Sequence, residues 1–234
     1  MGGIGKTTIA EAVFNQISNQ FEGQYFIANV RDESERPNGL VRLREKVLSK
    51  ILEEKYVDFS TPNIPRYIKD MVKHKKFLIV LDDVNTLKQL ETLAKGLDEF
   101  GPRSRIIITT RDKQLLHNYG VTKVYKVEAF DKQEAHRLFC KHAFKQDNPH
   151  KDLIMFVDKV LDYAKGNPLT LKVVGSSLFH KSKQYWESEL QKLKKISNPQ
   201  IHNMLRIGYE GLDDEQKNIF LDIACFFKGK YMFL

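Results

Sequence analysis

Gly5-Lys6-Thr7 closes a run, Gly2-Gly3-Ile4-Gly5-Lys6-Thr7-Thr8, whose residue types suit the holding of nucleotide phosphates. The run is the closing half of the pattern G-x-x-x-x-G-K-[ST]. Gly2, Gly3 and Gly5 let the backbone adopt conformations closed to other residues, so successive N–H groups, Ile4 and Thr8 included, can face phosphate oxygens. Lys6 supplies a flexible point charge for the β- and γ-phosphates, and the Thr7 hydroxyl suits a Mg²⁺ ion. From Thr8 onward the chain reads as a helix whose N-terminal dipole favours the same anion. The pattern's first glycine would fall one position before Met1, as would the strand that should feed the loop. A glycine-rich turn capping a helix would explain neither Lys6 nor Thr7.

A second chemical signal lies at a sensible distance. Phe77-Leu78-Ile79-Val80-Leu81 is a continuous apolar run ending in Asp82-Asp83, and an acid at the end of such a strand completes the phosphate site. Asp82 would hold Mg²⁺, directly or through water, across from Thr7, and Asp83 would orient or activate an attacking water. The competing reading is an ordinary strand-end turn, which Asp often begins. Arg111 ends a later strand, so it should emerge at the same carboxyl edge, where a guanidinium can sense a γ-phosphate or simply face solvent. His136 and Cys140 share a helix face, but no further pair completes a tetrahedral metal site, so a packed helix is expected. No Ser, His and Asp are arranged for nucleophilic catalysis.

The elements that must position these residues alternate. Gln24–Val30 reads as a strand, Arg31–Gly39 as a loop, and Leu40–Glu54 as an amphipathic helix. A helix over roughly 67–74 follows, then the Phe77–Leu81 strand, whose unbroken hydrophobicity implies burial on both faces of a parallel sheet. Thr86 and Gln89 have capping-box spacing. Ser104–Arg111 is another buried strand, and Lys123–Val127 a weaker one. This pattern is that of an α/β doubly wound domain. After Ala129 only helices are expected. Asp131 and Glu134 cap one, Asn167 and Pro168 open another, and Asp213 and Gln216 cap a last one. A join between two helical sections falls near Ser197-Asn198-Pro199.

The 234 residues suffice for one large domain or two modest ones, and 41% hydrophobic with 29% charged residues fits a globular chain. Cys140 and Cys225 are far apart and show no metal or redox spacing, which points to a reducing compartment, cytosolic or nuclear. No leader opens the chain, and no apolar run approaches the ~18 residues of a membrane span. The net charge of +8 raises a nucleic-acid reading. The basic residues are scattered and not interleaved with aromatics, so a solvated basic surface is favoured over a nucleic-acid face.

With these motifs in order, the chain resembles the NB-ARC nucleotide-binding module of plant disease-resistance proteins, especially those with an N-terminal TIR domain and C-terminal leucine-rich repeats. The resemblance runs through Gly2–Thr8, Phe26–Arg31, Phe77–Val84, Gly101–Arg111, Tyr125–Phe130, Gly166–Leu171 and Ile219–Phe227. It implies a P-loop NTPase parallel sheet over 1–128, lacking its first strand, a helical ARC1 section over 129–197, and the start of a winged-helix ARC2 section over 198–234. It also implies adenine nucleotide clamped between them with Mg²⁺, ADP at rest and ATP when active, slow hydrolysis, and oligomerisation in the active state. Pro168 would pack on the adenine side and Arg111 at the γ-phosphate end.

The chain departs from the family pattern in carrying Asn167 where Leu is usual and Thr170 where Ala is common. It stops before the Met-His-Asp motif that reads the β-phosphate of ADP. It is therefore expected to be a fragment. Loss of ~5 buried strand residues at about 1.5–3 kcal/mol each can exceed a typical stability of ~5–15 kcal/mol. Poor folding, weak ADP binding and exposed strand edges follow as expectations. The competing functions are a turnover ATPase, for which the helical half offers no substrate site, and a nucleic-acid-binding winged helix.

Overall fold

The computed structural model describes residues 2–52, 73–94, 101, 103–121, 123–145, 151–195 and 217. Two compact units emerge, one spanning Lys6–Tyr125 and the other combining Met1–Gly5 with Lys126–Leu234.

The first unit contains α1 (Lys6–Ile17), β1 (Gly23–Ile27), α2 (Val30–Ser34), α3 (Gly39–Leu52), β2 (Phe77–Val84), α4 (Leu87–Ala94), β3 (Arg105–Thr110) and α5 (Lys113–Tyr119). The three strands are parallel in the order β1-β2-β3. β2 is central, which explains its unbroken apolar run: Phe77 through Asp82 are all buried. Successive side chains of a strand face opposite sides. Phe77, Ile79 and Leu81 share a core with Ile27, Val30, Leu43, Val47, Leu90 and Leu93. Leu78, Val80 and Asp82 face the other side, where Thr7 at the start of α1 bonds Asp82. In the parallel register, Gly23↔Phe77 through Ile27↔Leu81, β1 ends opposite Leu81 while β2 runs on through Asp82 and Asp83 to Val84.

Among the described residues the expected strand and helix signals hold with four differences. The first is that β3 is not a buried strand: Arg105 and Ile106 are exposed and only Thr109 of its six residues is buried. β1 stops at Ile27 because Asn29 turns into the left-handed region with φ 52°, a conformation Asn tolerates. The expected loop from Arg31 therefore opens with α2. Lys123–Val127 forms no strand; it finds no ladder partner among the described residues, and Val124 and Tyr125 lie exposed. The Thr86–Gln89 box forms in both directions: Gln89 N–H donates to Thr86 Oγ1 at 3.3 Å and Thr86 N–H to Gln89 Oε1 at 3.1 Å. The buried Gln89 amide also donates to Ser34 Oγ at 2.7 Å, tying the turn after β2 to α2.

The second unit contains the helices α6 (Lys132–Ala143), α7 (Ile154–Ala164), α8 (Pro168–Leu178) and α9 (Lys183–Lys195), and no strand among its described residues. The Asp131–Glu134 capping box opens α6, and Asn167 with Pro168 at the first turn opens α8. Phe139, Cys140, Val157, Val160, Leu171, Val174 and Trp186 form its core. The Cys140 thiol is thus a space-filling core group, with Sγ 3.7 Å from His136 Nε2 on the same helix. Gly166, at φ +71°, passes so close to the Phe130 carbonyl that a β-carbon would collide with it. The expected helix over 67–74 lies largely, and the ARC2 segment of 198–234 almost wholly, outside the described residues, as do Cys225 and the Asp213–Gln216 cap. Among the described residues no helix is long and apolar enough to cross a membrane.

Candidate functional site

The carboxyl edge of the sheet gathers the chemistry of the Lys6–Tyr125 unit. Asp82 is 1% exposed, and a bare buried carboxylate is costly unless its lone pairs are taken. Two hydroxyls take them. Thr7 Oγ1 donates to Asp82 at 2.9 Å (Oδ1) and 3.1 Å (Oδ2), and Thr109 Oγ1 donates to Oδ1 at 2.6 Å. Lys6, one residue from Thr7, is half-buried. Burial first, and the Arg111 guanidinium second, pull its ammonium below the usual lysine value, while Asp83 and Asp82 pull the other way. A positive group held at this cost is suited to an arriving anion. Thr8 is exposed on the first turn of α1.

Asp82 and Asp83 sit in a bulge. Leu81 pairs with Ile108 and Val84 with Thr110, so β2 takes three steps where β3 takes two. Asp83 absorbs the irregularity with φ 54°, an uncommon conformation for a residue with a β-carbon and a mark of functional sites. Its N–H donates to Thr109 Oγ1 at 2.9 Å. Its carboxylate meets two guanidiniums, Arg31 Nη2 at 3.2 Å and Arg111 Nε at 3.4 Å. Arg111 thus reaches the same edge as Lys6 and Asp82, but its observed partner is Asp83.

Thr109 and Arg31 are residues that sequence reasoning left without a role. Arg31 directly follows the expected Gln24–Val30 strand, and the strand-end argument applied to Arg111 would have found it there, although β1 ends at Ile27 and Arg31 lies in α2. Thr109 was disguised as one more β-branched residue of a strand expected to be buried. Its single hydroxyl both donates to Asp82 and accepts from Asp83. Thr109→Val, which keeps the shape, should therefore destabilise this unit by about 2–4 kcal/mol, because the buried Asp82 carboxylate and the part-buried Asp83 N–H each lose a partner. Urea denaturation of the two proteins measures it.

Among the described residues no three His, Cys, Asp or Glu side chains gather as a metal cage. Mg²⁺ does not need one: it takes one or two protein oxygens with phosphates and waters. Adjacent ligands at about 2.05 Å from an octahedral ion lie ~2.9 Å apart. Thr7 Oγ1 and Asp82 Oδ1, two hard oxygens, are 2.9 Å apart. The residues fit the ion.

The loop's glycines belong to the other unit, and the chain passes from one unit to the other between Gly5 and Lys6. Gly3 and Gly5 take φ +72° and +93°, as a loop of inward-turned amides requires, and Ile4 is buried. Asn167 Nδ2 donates to the Gly2 carbonyl at 2.9 Å, and the Leu169 N–H to the Gly3 carbonyl at 3.2 Å. Pro168 lies between these two anchors. Asn167 was expected only to cap α8; it also holds the loop.

A parallel sheet with a Lys-Thr pair opening its first helix and an acid at the end of its central strand defines a P-loop NTPase-like α/β module. Comparison with known proteins narrows this. The profile of the NB-ARC domain matches residues 1–149, and the chain belongs to the NB-ARC family. It is 43% identical over 232 residues to disease resistance protein RPV1 of Vitis rotundifolia, covering 98% of this chain and 16% of that protein. It is 42% identical over 231 residues to disease resistance-like protein DSC1 of Arabidopsis thaliana, covering 98% and 19%. To TMV resistance protein N of Nicotiana glutinosa it is 40% identical over 237 residues, covering 98% and 20%. The chain thus spans about a fifth or less of the length of these curated relatives.

Proposed function

We propose that this chain is the adenine-nucleotide switch of a plant intracellular immune receptor, holding ADP at rest and ATP when signalling. The observation that carries the reading is the meeting of the Thr7 hydroxyl with the buried Asp82 carboxylate at 2.9 Å, one residue from Lys6. Gly2, Gly3, Ile4, Gly5 and Thr8 contribute backbone to the phosphates, and Lys6 neutralises their negative charge. Thr7 and Asp82 would hold Mg²⁺, which when bound stabilises charge on the phosphate oxygens. Pro168, beside the anchored loop, takes the adenine side. Arg111 takes the γ-phosphate end.

Asp83 is the group to orient an attacking water. Two guanidiniums occupy its carboxylate, so its oxygens are engaged by cations and reach a water only when one of them leaves. That arrangement supports a switch with slow hydrolysis over a turnover ATPase. The rest of such a receptor would supply TIR and leucine-rich-repeat domains and the oligomerisation of the active state. The setting is the cytosol or nucleus, with neither membrane nor nucleic acid as partner.

The reading is tested by titrating the chain with a fluorescent ADP analogue, with Mg²⁺ and with EDTA, and by following ATP turnover. Saturable ADP binding, weak but strengthened by Mg²⁺, with turnover well below the ~1–100 s⁻¹ of working phosphoryl-transfer enzymes is expected. Turnover within that range favours the ATPase instead. Absence of ADP binding defeats both.

A further inference from the structure

The glycine loop is fastened to α8 through its carbonyls. Asn167 is 4% exposed and splits its amide between two tasks. Its Oδ1 accepts the Thr170 N–H at 3.1 Å and caps α8, while its Nδ2 donates to the Gly2 carbonyl at 2.9 Å. The Leu169 N–H, an orphan donor of the helix's first turn, takes the Gly3 carbonyl at 3.2 Å. In a trans peptide the C=O and N–H of one plane point in opposite directions. A Gly2 carbonyl fixed toward Asn167 therefore turns the Gly3 N–H away from α8. A Gly3 carbonyl fixed toward Leu169 does the same to the Ile4 N–H. The approach is close enough that a β-carbon on Gly3 would stand 2.8 Å from Leu169 Cβ and 2.9 Å from Asn167 Oδ1.

We propose that Asn167 is a positioning residue for phosphate binding. With the Leu169 amide it locks two successive peptide planes, so that the Gly3 and Ile4 N–H groups stand ready as donors to a nucleotide's phosphate oxygens. The assignment rests on the nucleotide-binding reading of the loop. It gives a physical role to an amide at a position where leucine could supply neither the capping oxygen nor the loop-holding donor. Donors aligned in advance lose less freedom on binding than a loop that must be ordered by its ligand.

Asn167→Asp separates the two tasks. The carboxylate keeps the capping oxygen but has no N–H for Gly2, and it repels that carbonyl. Asn167→Ser is the second variant; its short hydroxyl still caps but does not span to Gly2. Thermal unfolding by far-UV circular dichroism, dissociation of a fluorescent ADP analogue, and the Gly3 and Ile4 amide signals in ¹H–¹⁵N spectra are the readouts. Asn167→Ser should unfold within a few degrees of wild type, and Asn167→Asp below it because its buried carboxylate faces the Gly2 carbonyl. ADP should leave them roughly ten-fold faster, the effect of one well-placed hydrogen bond, and the ADP-induced shifts of Gly3 and Ile4 should shrink. Should one variant fail to fold, the other decides. Wild-type binding with unchanged dissociation and unchanged amide shifts in the folded variant overturns the proposal alone. No ADP binding by wild type overturns the site reading and this assignment with it.

Discussion

Lys6→Met should weaken ADP binding by about 10²-fold, ~3 kcal/mol, the upper end for a hydrogen bond to a charged group, while leaving the nucleotide-free protein at least as stable as wild type. The two halves of the outcome share one cause. In the folded protein the ammonium is desolvated and lies near Arg111, and its pKa is lowered despite Asp83 and Asp82. The unfolded chain therefore binds the Lys6 proton more readily than the folded one. Folding stability attached to this group is present above the usual lysine value of 10.5 and is lost as pH falls through the lower folded value. At neutral pH the charged side chain is a liability that methionine removes. Isothermal titration with ADP and Mg²⁺, paired with denaturation at pH 7 and again near pH 10, measures both. Undiminished ADP affinity in the variant, or a variant much less stable at pH 7, would contradict the account.

Trp186→Ala should cost the helical unit about 3–5 kcal/mol, the usual range for truncating a buried Trp. The indole is 1% exposed. Phe144 stacks on it at 5.4 Å, while Phe139 at 6.0 Å and Phe156 at 6.4 Å meet it edge to face. Its Nε1–H donates to the Leu178 carbonyl at 3.1 Å, joining α9 to the end of α8. Truncation opens a cavity among the packed side chains and removes one of the two donors to the Leu178 carbonyl, the Lys181 N–H remaining at 3.2 Å. Against a typical domain stability of ~5–15 kcal/mol, such a loss leaves the unit marginal. Denaturant unfolding followed by far-UV circular dichroism should show an early transition in the variant. A midpoint unchanged from wild type would mean that the surrounding residues close the gap.

What the sequence disclosed and what it hid divide along physical lines. Local signals were legible. The Asp131–Glu134 box, the Asn167-Pro168 helix start and the doubly buried Phe77–Leu81 run each depend on residues within a few positions of one another. Pairings across long stretches of chain were not. That Thr109 would bond Asp82, or that Asn167 would reach back to Gly2, requires knowing which strand lies beside which and where the loop comes to rest. The Lys123–Val127 run shows the complementary error: β-branched and aromatic residues give it strand character, but a strand exists only where a neighbour takes its hydrogen bonds. The bulge at Asp83 was hidden for a related reason, since it is defined by a mismatch between two strands and neither alone announces it.

Trp186 is the sole tryptophan of the 234 residues, and it is sealed within the helical core. Intrinsic emission excited at the red edge of the absorption band is therefore a native optical tag for that half alone, whereas circular dichroism sums over every helix and strand. Superimposable titration curves from the two signals would identify one cooperative block, and curves that part company would identify two that melt in sequence.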